Sequence, residues 1–250
     1  MRITIFGTTG AGKTTLLKNL KKLLNESYVY VAETSLECPY YEQAYNDNSP
    51  NLQDLNYKLD LWMLADRMRS FKDYANNDYV IYDRSVLDSM VFAQTDHSYG
   101  RLNDVDYEVF KDYFMTCVLP NLFDKDFHNK NFDIAIYLRV SPKKAIERVV
   151  KRGRVPEFST NKEFWYNLAS SYDLWYEAYK EIVPFWVIDA NNDDPIQCAK
   201  QIAEKINQFD KQKIIRVLIV TLCLLLLNSI ICPALSPPAN LTTASAFWLK

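Results

Sequence analysis

Apolar residues along this chain fall into two kinds of run. Short, nearly continuous ones occupy 2–6, 28–32 ("YVYVA"), 79–83 ("YVIYD"), 132–138 ("FDIAIYL") and 184–190 ("PFWVIDA"). Runs of this length, rich in β-branched and aromatic residues, predict strands buried on both faces. Between them, longer stretches at 14–24, 51–76, 104–119, 142–152, 161–182 and 195–208 predict helices. Ser141-Pro142 supplies a cap and a first-turn proline for one of these. Strand and helix alternate as far as residue 209, which predicts one α/β domain over 1–209: a parallel sheet with helices on both faces. Ligands of such sheets sit beyond the carboxyl ends of the strands, so chemistry is expected there.

The first strand end carries it. The chain has 5 glycines in 250 residues, where about 7% is typical, yet Gly7, Gly10 and Gly12 lie in one turn. Gly7-x-x-x-x-Gly12-Lys13-Thr14 fits the phosphate-loop pattern in the strand–loop–helix context it requires. Backbone N–H groups around such glycines form a donor nest, and the helix N-terminus adds positive charge. Lys13 would reach the β- and γ-phosphates, and the Thr14 hydroxyl would be a magnesium ligand. A plain glycine turn with a solvated lysine is the alternative. Pattern, context and position together favour a nucleoside triphosphate site of the P-loop NTPase type.

Glu33 follows the second strand and Asp83-Arg84-Ser85 ends the third. A carboxylate facing a phosphate loop can take a proton from an attacking hydroxyl. A second can hold Mg²⁺ through water, and an arginine can steady the transferring charge. A solvated loop acid at Glu33 and a helix cap at Asp83 or Ser85 are the simpler alternatives. After the fourth strand, "ERVVKRGRVPE" (147–157) clusters Arg148, Arg152 and Arg154 around Gly153. In a triphosphate-binding chain this reads as an arginine-rich lid that excludes water and brings cations to the phosphates.

Composition narrows the class. A net charge of −2 gives no electrostatic footprint for nucleic acid, and 48% hydrophobic residues suffice for a core. The cysteines at 38, 117, 198, 223 and 232 show no metal spacing, and their odd number points to reduced thiols in a cytoplasmic body. Arg2 and a strand begin at once, so no signal peptide is expected ahead of them.

Taken together, the phosphate loop, Glu33, "DRSVLDSMVFA", "KRGR" and "WYEAY" over residues 1–208 resemble the deoxynucleoside kinase family, especially bacterial deoxyadenosine/deoxyguanosine kinases. The resemblance implies transfer of the ATP γ-phosphate to a deoxynucleoside 5′-hydroxyl, with Mg²⁺, in nucleotide salvage. Catalysis would fall to Glu33 as general base, Arg84 positioning hydroxyl and phosphate, and Lys13. ATP would be held by Gly7, Thr8, Thr9, Gly10, Ala11, Gly12, Lys13, Thr14 and Thr15, with Arg148, Arg152 and Arg154 from the lid. Thr14 and Asp83 would serve the metal, and Tyr45 and Glu157 the sugar 3′-hydroxyl. Relatives place a base-reading glutamine seven residues before an arginine, where this chain has Asp60 and Arg67. They also place an aspartate six residues after the start of "DRS". That count falls on Ser89, whereas counting back from Phe92-Ala93 gives Asp88, the favoured choice. Ionised, Asp60 could only accept hydrogen bonds, which suits the amine of adenine or cytosine and suits thymine O4 poorly; alternatively it pairs with Arg67. Deoxyadenosine, deoxycytidine or deoxyguanosine is therefore expected before thymidine. The family's habit also implies a homodimer through 51–76 or 104–119. Competing readings are a thymidylate kinase-like monophosphate kinase and a non-catalytic, membrane-associated subunit of the same fold.

Residues 210–250 differ in character, and 217–249 contain no charged side chain. "VLIVTLCLLLLNSIICPAL" (217–235) would measure about 28 Å as a helix, close to a bilayer core. Lys211, Lys213 and Arg216 on its N-terminal side would keep the kinase body cytoplasmic. A membrane anchor and a divergent, aberrant tail both remain open. Asn25 and Asn240 each start a formal glycosylation sequon.

Overall fold

A computed structural model describes residues 1–123 and 132–211. The chain divides into two compact units, Met1–Ala203 and Glu204–Lys250. Of the second unit only 204–211 are described, and they are helical. The apolar run 217–235 lies outside the described residues, as does Asn240. Among the described residues no helix is long and apolar enough to cross a membrane.

The first unit holds five strands, β1 (Arg2–Phe6), β2 (Val29–Val31), β3 (Val80–Tyr82), β4 (Ile134–Arg139) and β5 (Phe185–Asp189). They form one sheet in the order β2-β3-β1-β4-β5, all parallel, with Ile3 facing Ile81 on one side and Ile134 on the other. β1, β3 and most of β4 are fully buried, as continuous apolar runs in a central parallel sheet should be. β2 and β5 are only half-buried, contrary to the expectation from their sequences, because they form the two edges.

The helices include α1 (Lys13–Leu23), α2 (Tyr41–Ala44), α3 (Leu52–Asp73), α4 (Leu87–Ser98), α5 (Asp104–Tyr113), α6 (Leu119–Phe123), α7 (Pro142–Arg152), α8 (Val155–Phe158) and α9 (Lys162–Tyr179), and 195–211 are helical as well. With right-handed crossovers, the change of direction after β2 puts α1 on one face and α3, α4 and α9 on the other. α4 packs against both α3 and α9. The single helix expected over 104–119 is broken by a π-helical turn at Phe114–Val118. Pro120 follows that turn and has no N–H to continue the regular ladder. α4 has no counterpart in the apolar pattern, because nine of its twelve residues are buried and no polar face marks it.

The aromatic wealth of the chain goes largely into the core. The Phe6 ring lies 4.7 Å from that of Tyr172 and 5.3 Å from that of Tyr137, and also packs on Trp175 and Phe185. This ties α9 to the end of β1. It brings the Tyr172 hydroxyl to the phosphate-loop side of the sheet.

Candidate active site

The turn after β1 wraps tightly. Gly10 sits at φ +85°, and a Cβ there would lie 2.3 Å from the Ala145 carbonyl oxygen in α7. Gly12 caps α1 in the left-handed region, at φ +98°. Only glycine fits either position without strain. Lys13 is buried under the loop and donates from Nζ to the Gly7 oxygen at 2.6 Å and the Thr8 oxygen at 2.8 Å. Burial, with help from nearby Arg84, lowers its pKa to about 7.

Thr14 Oγ1 donates to Asp83 Oδ2 at 2.7 Å. The second carboxylate oxygen, Oδ1, is buried with no hydrogen-bond partner among the described residues. Burial holds the Asp83 pKa above the ordinary aspartate value. A hydroxyl and an unsatisfied carboxylate oxygen side by side are the hard donors that magnesium prefers, so this pair fits the ion.

Glu33 is held by Arg84 Nε, and Arg67 Nη2 lies 3.9 Å away. Burial raises the Glu33 pKa, but the charges of Arg84, Lys13 and Arg67 outweigh it and keep the carboxyl ionised. Arg84 is itself buried, and its guanidinium reaches Asp88 Oδ1 at 3.2 Å, the Tyr172 hydroxyl at 3.3 Å and Thr9 Oγ1 at 3.5 Å. Thus Arg84 links the phosphate loop to Glu33.

A cleft of about 470 Å³ opens beside this pair. Of the residues singled out from sequence, it is lined by Thr9, Glu33, Tyr45, Asp60, Arg67, Arg84, Arg152, Arg154 and Glu157. Asp60, Met63 and Arg67 share one face of α3, as their spacing requires. Burial, then Asp96, pushes the Asp60 pKa far above normal against the charges of Arg67 and Arg101, which favours the protonated carboxyl over the ionised one. An ion pair between Asp60 and Arg67 is not formed.

Two residues lie elsewhere than expected. Asp88 is fully buried behind Arg84 and does not line the cleft. Its Oδ2 accepts from the Ser85 N–H at 2.8 Å while Ser85 Oγ accepts from the Leu87 N–H, so this carboxylate braces the turn that leads into α4. Ser89, the other candidate, accepts from Arg67 Nη1. Arg148 is the second. It donates to the Asn192 oxygen at 2.8 Å and pairs with Asp193 beyond β5, away from the other lid arginines. Arg152 and Arg154 instead converge on buried Glu157, whose Oε2 has no partner among the described residues. Sequence reasoning missed Ser35, Tyr41, Leu59, Met63 and Phe92 in the cleft wall. The i, i+4 spacing of Leu59 and Met63, next to Asp60 on α3, was the one available signal.

A phosphate loop at the carboxyl edge of a parallel sheet, facing an ionised carboxylate and an arginine beside a polar cleft, defines an ATP-dependent phosphotransferase with an alcohol acceptor. The deoxynucleoside kinase family model matches residues 3–211, and the chain belongs to that family. It is 29% identical over 183 residues to a deoxyadenosine/deoxycytidine kinase of Bacillus subtilis, covering 71% of this chain and 77% of the relative. A deoxyadenosine kinase of Dictyostelium discoideum is 28% identical, covering 80% of this chain and 77% of that one. Among solved structures, a deoxyadenosine kinase from M. mycoides with products dCMP and a flexible dCDP bound superimposes with a TM-score of 0.72 at 34% identity. That match covers 83% of this chain and all of the other. The thymidylate kinase-like and non-catalytic readings are not favoured by these matches.

Proposed function

We propose that the chain transfers the γ-phosphate of ATP to the 5′-hydroxyl of a deoxynucleoside lying in the Glu33–Asp60 cleft. The observation that carries this is the Glu33–Arg84 pair, an ionised carboxylate placed between phosphate loop and cleft. Glu33 takes the proton from the 5′-hydroxyl as it attacks phosphorus. Arg84, bridging Thr9 and Glu33, aligns the hydroxyl and carries charge that develops on the γ-phosphoryl oxygens. Lys13 shifts its ammonium from the loop carbonyls to the phosphates. Thr14 and Asp83 would hold Mg²⁺, which supplies charge neutralisation at the β- and γ-phosphates.

The sugar lies against Tyr45 and Glu157, and Arg152 and Arg154 close over the phosphates. Deoxyadenosine and deoxycytidine are the favoured acceptors. Likeness to deoxyadenosine and deoxyadenosine/deoxycytidine kinases supports this. Val105, Val109 and Tyr113 form an exposed apolar stripe at four-residue spacing on α5, which supports a homodimer through that helix.

Glu33→Gln tests the mechanism. The amide keeps the shape but loses the basic lone pair, so kcat should fall about 10²–10⁴-fold while deoxynucleoside affinity, measured by calorimetry, changes little. Equal losses in both would make Glu33 a binding residue only.

A further inference from the structure

Asp60 sits in the cleft wall and forms no ion pair there among the described residues. It is 4% exposed, and its Oδ2 is buried without a hydrogen-bond partner among the described residues. Two arginines are near and favour its charged form, but neither is hydrogen-bonded to it, their bonds going elsewhere. Arg101 gives Nε to Asp96, Nη1 to Asp47, and Nη2 to the Ala44 oxygen and Asn56 Oδ1. Arg67 gives Nη1 to Ser89 and turns Nη2 toward Glu33. On the α4 side stands a second buried carboxylate, Asp96. Across the cleft are Glu157 with Arg152 and Arg154 from the lid, Tyr41 and Tyr45 at α2, and the already paired Glu33 and Arg84. A buried carboxylate with an unpaired oxygen, facing another carboxylate, is costly to ionise, and here that cost outweighs the pull of the two arginines.

We infer that Asp60 reads the base as a neutral carboxylic acid, its hydroxyl donating to a ring nitrogen while its carbonyl accepts from the neighbouring exocyclic amine. Adenine presents that pair at N1 and N6, and cytosine at N3 and N4. An ionised carboxylate could only accept, and it would set its second oxygen against the ring-nitrogen lone pair. Two acceptors suit guanine instead, through N1–H and N2–H. The protonation state of one side chain therefore selects among bases. The inference rests on the nucleoside reading of the cleft. The strong upward displacement of the Asp60 pKa, from burial and then Asp96, agrees with it.

The test combines a spectrum with kinetics. In the ligand-free protein, the infrared difference between wild type and Asp60→Asn should show the carbonyl stretch of a protonated carboxyl. Asparagine also donates and accepts whereas alanine does neither, so Asp60→Asn should keep a clearly larger share of kcat/KM for deoxyadenosine and deoxycytidine than Asp60→Ala does. As pH rises past the Asp60 pKa, the wild-type ratio of kcat/KM for deoxyadenosine over deoxyguanosine should fall, while that of Asp60→Asn stays flat. An active enzyme with no such band, or one whose deoxyadenosine kcat/KM rises about tenfold or more in Asp60→Asn, overturns the neutral acid. The spectrum needs no turnover. A band in a protein that phosphorylates no deoxynucleoside overturns the nucleoside reading, and the base pairing with it.

Discussion

Arg101 gathers two acidic side chains, Asp96 and Asp47, around one buried guanidinium, stacked over the Phe164 ring at 4.8 Å. Arg101→Met would leave those carboxylates without a countercharge and should cost about 3–5 kcal/mol, read as a lower urea midpoint. Asp96 gives the cluster an unusual pH response. Burial, partly offset by Arg101, pushes its pKa from 3.8 up to about 6. The native state then keeps a proton that the unfolded chain has released, so stability falls as pH rises between about 4 and 6. Asp96→Asn should flatten that slope in urea melts across the same window. At this scale the sequence was informative where residue type and strand end coincide, as at Lys13, Glu33 and Arg84. It was not informative for Asp88 or Arg148. Counting along a motif cannot show that one carboxylate turns back to the Ser85 N–H, or that one arginine of three meets an acidic loop 45 residues later.

Among the elements, the strands were legible because central parallel strands are continuous apolar runs. Their edges were not, since β2 and β5 have much the same composition and differ only in having one neighbour. α4 was hidden by being buried all round, and the break after α5 by a proline effect that acts on the preceding turn. The phosphate loop is the element in which local and tertiary demands agree most closely. Gly10→Ala would need both a left-handed alanine and a displaced Ala145 carbonyl. It should destabilise the protein by about 1–3 kcal/mol and lower kcat/KM for ATP, measured by thermal melt and turnover. Normal affinity for ATP with an unchanged melt would mean that the loop and α7 separate freely.

For the whole molecule, every residue given a chemical role lies at or before Glu157. Removal of the chain after Asp210 should therefore leave kcat/KM for the deoxynucleoside unchanged, and loss of activity would show that the catalytic unit extends further. Membrane fractionation of the full and shortened chains tests the apolar run separately. If the proposed homodimer forms through the exposed stripe of α5, Val109→Asp should lower the sedimenting mass to that of a monomer without unfolding the chain. A species of unchanged mass would remove α5 from the interface. The fold class was readable from alternation alone. Whether the chain pairs with a second copy was not, because an exposed valine on a helix looks the same in sequence whether water or a partner covers it.

The close approach of Gly10 to Ala145 has a mechanical meaning. It makes the phosphate loop the fulcrum of α7, with Arg152 at the far end of a lever seven residues long, about 10 Å. A tilt of roughly 10° about that fulcrum carries the arginine end about 2 Å, by the same helix geometry. A shift of the loop against the Ala145 carbonyl would therefore pass to α7 and move Arg152, which is proposed to cover the phosphates.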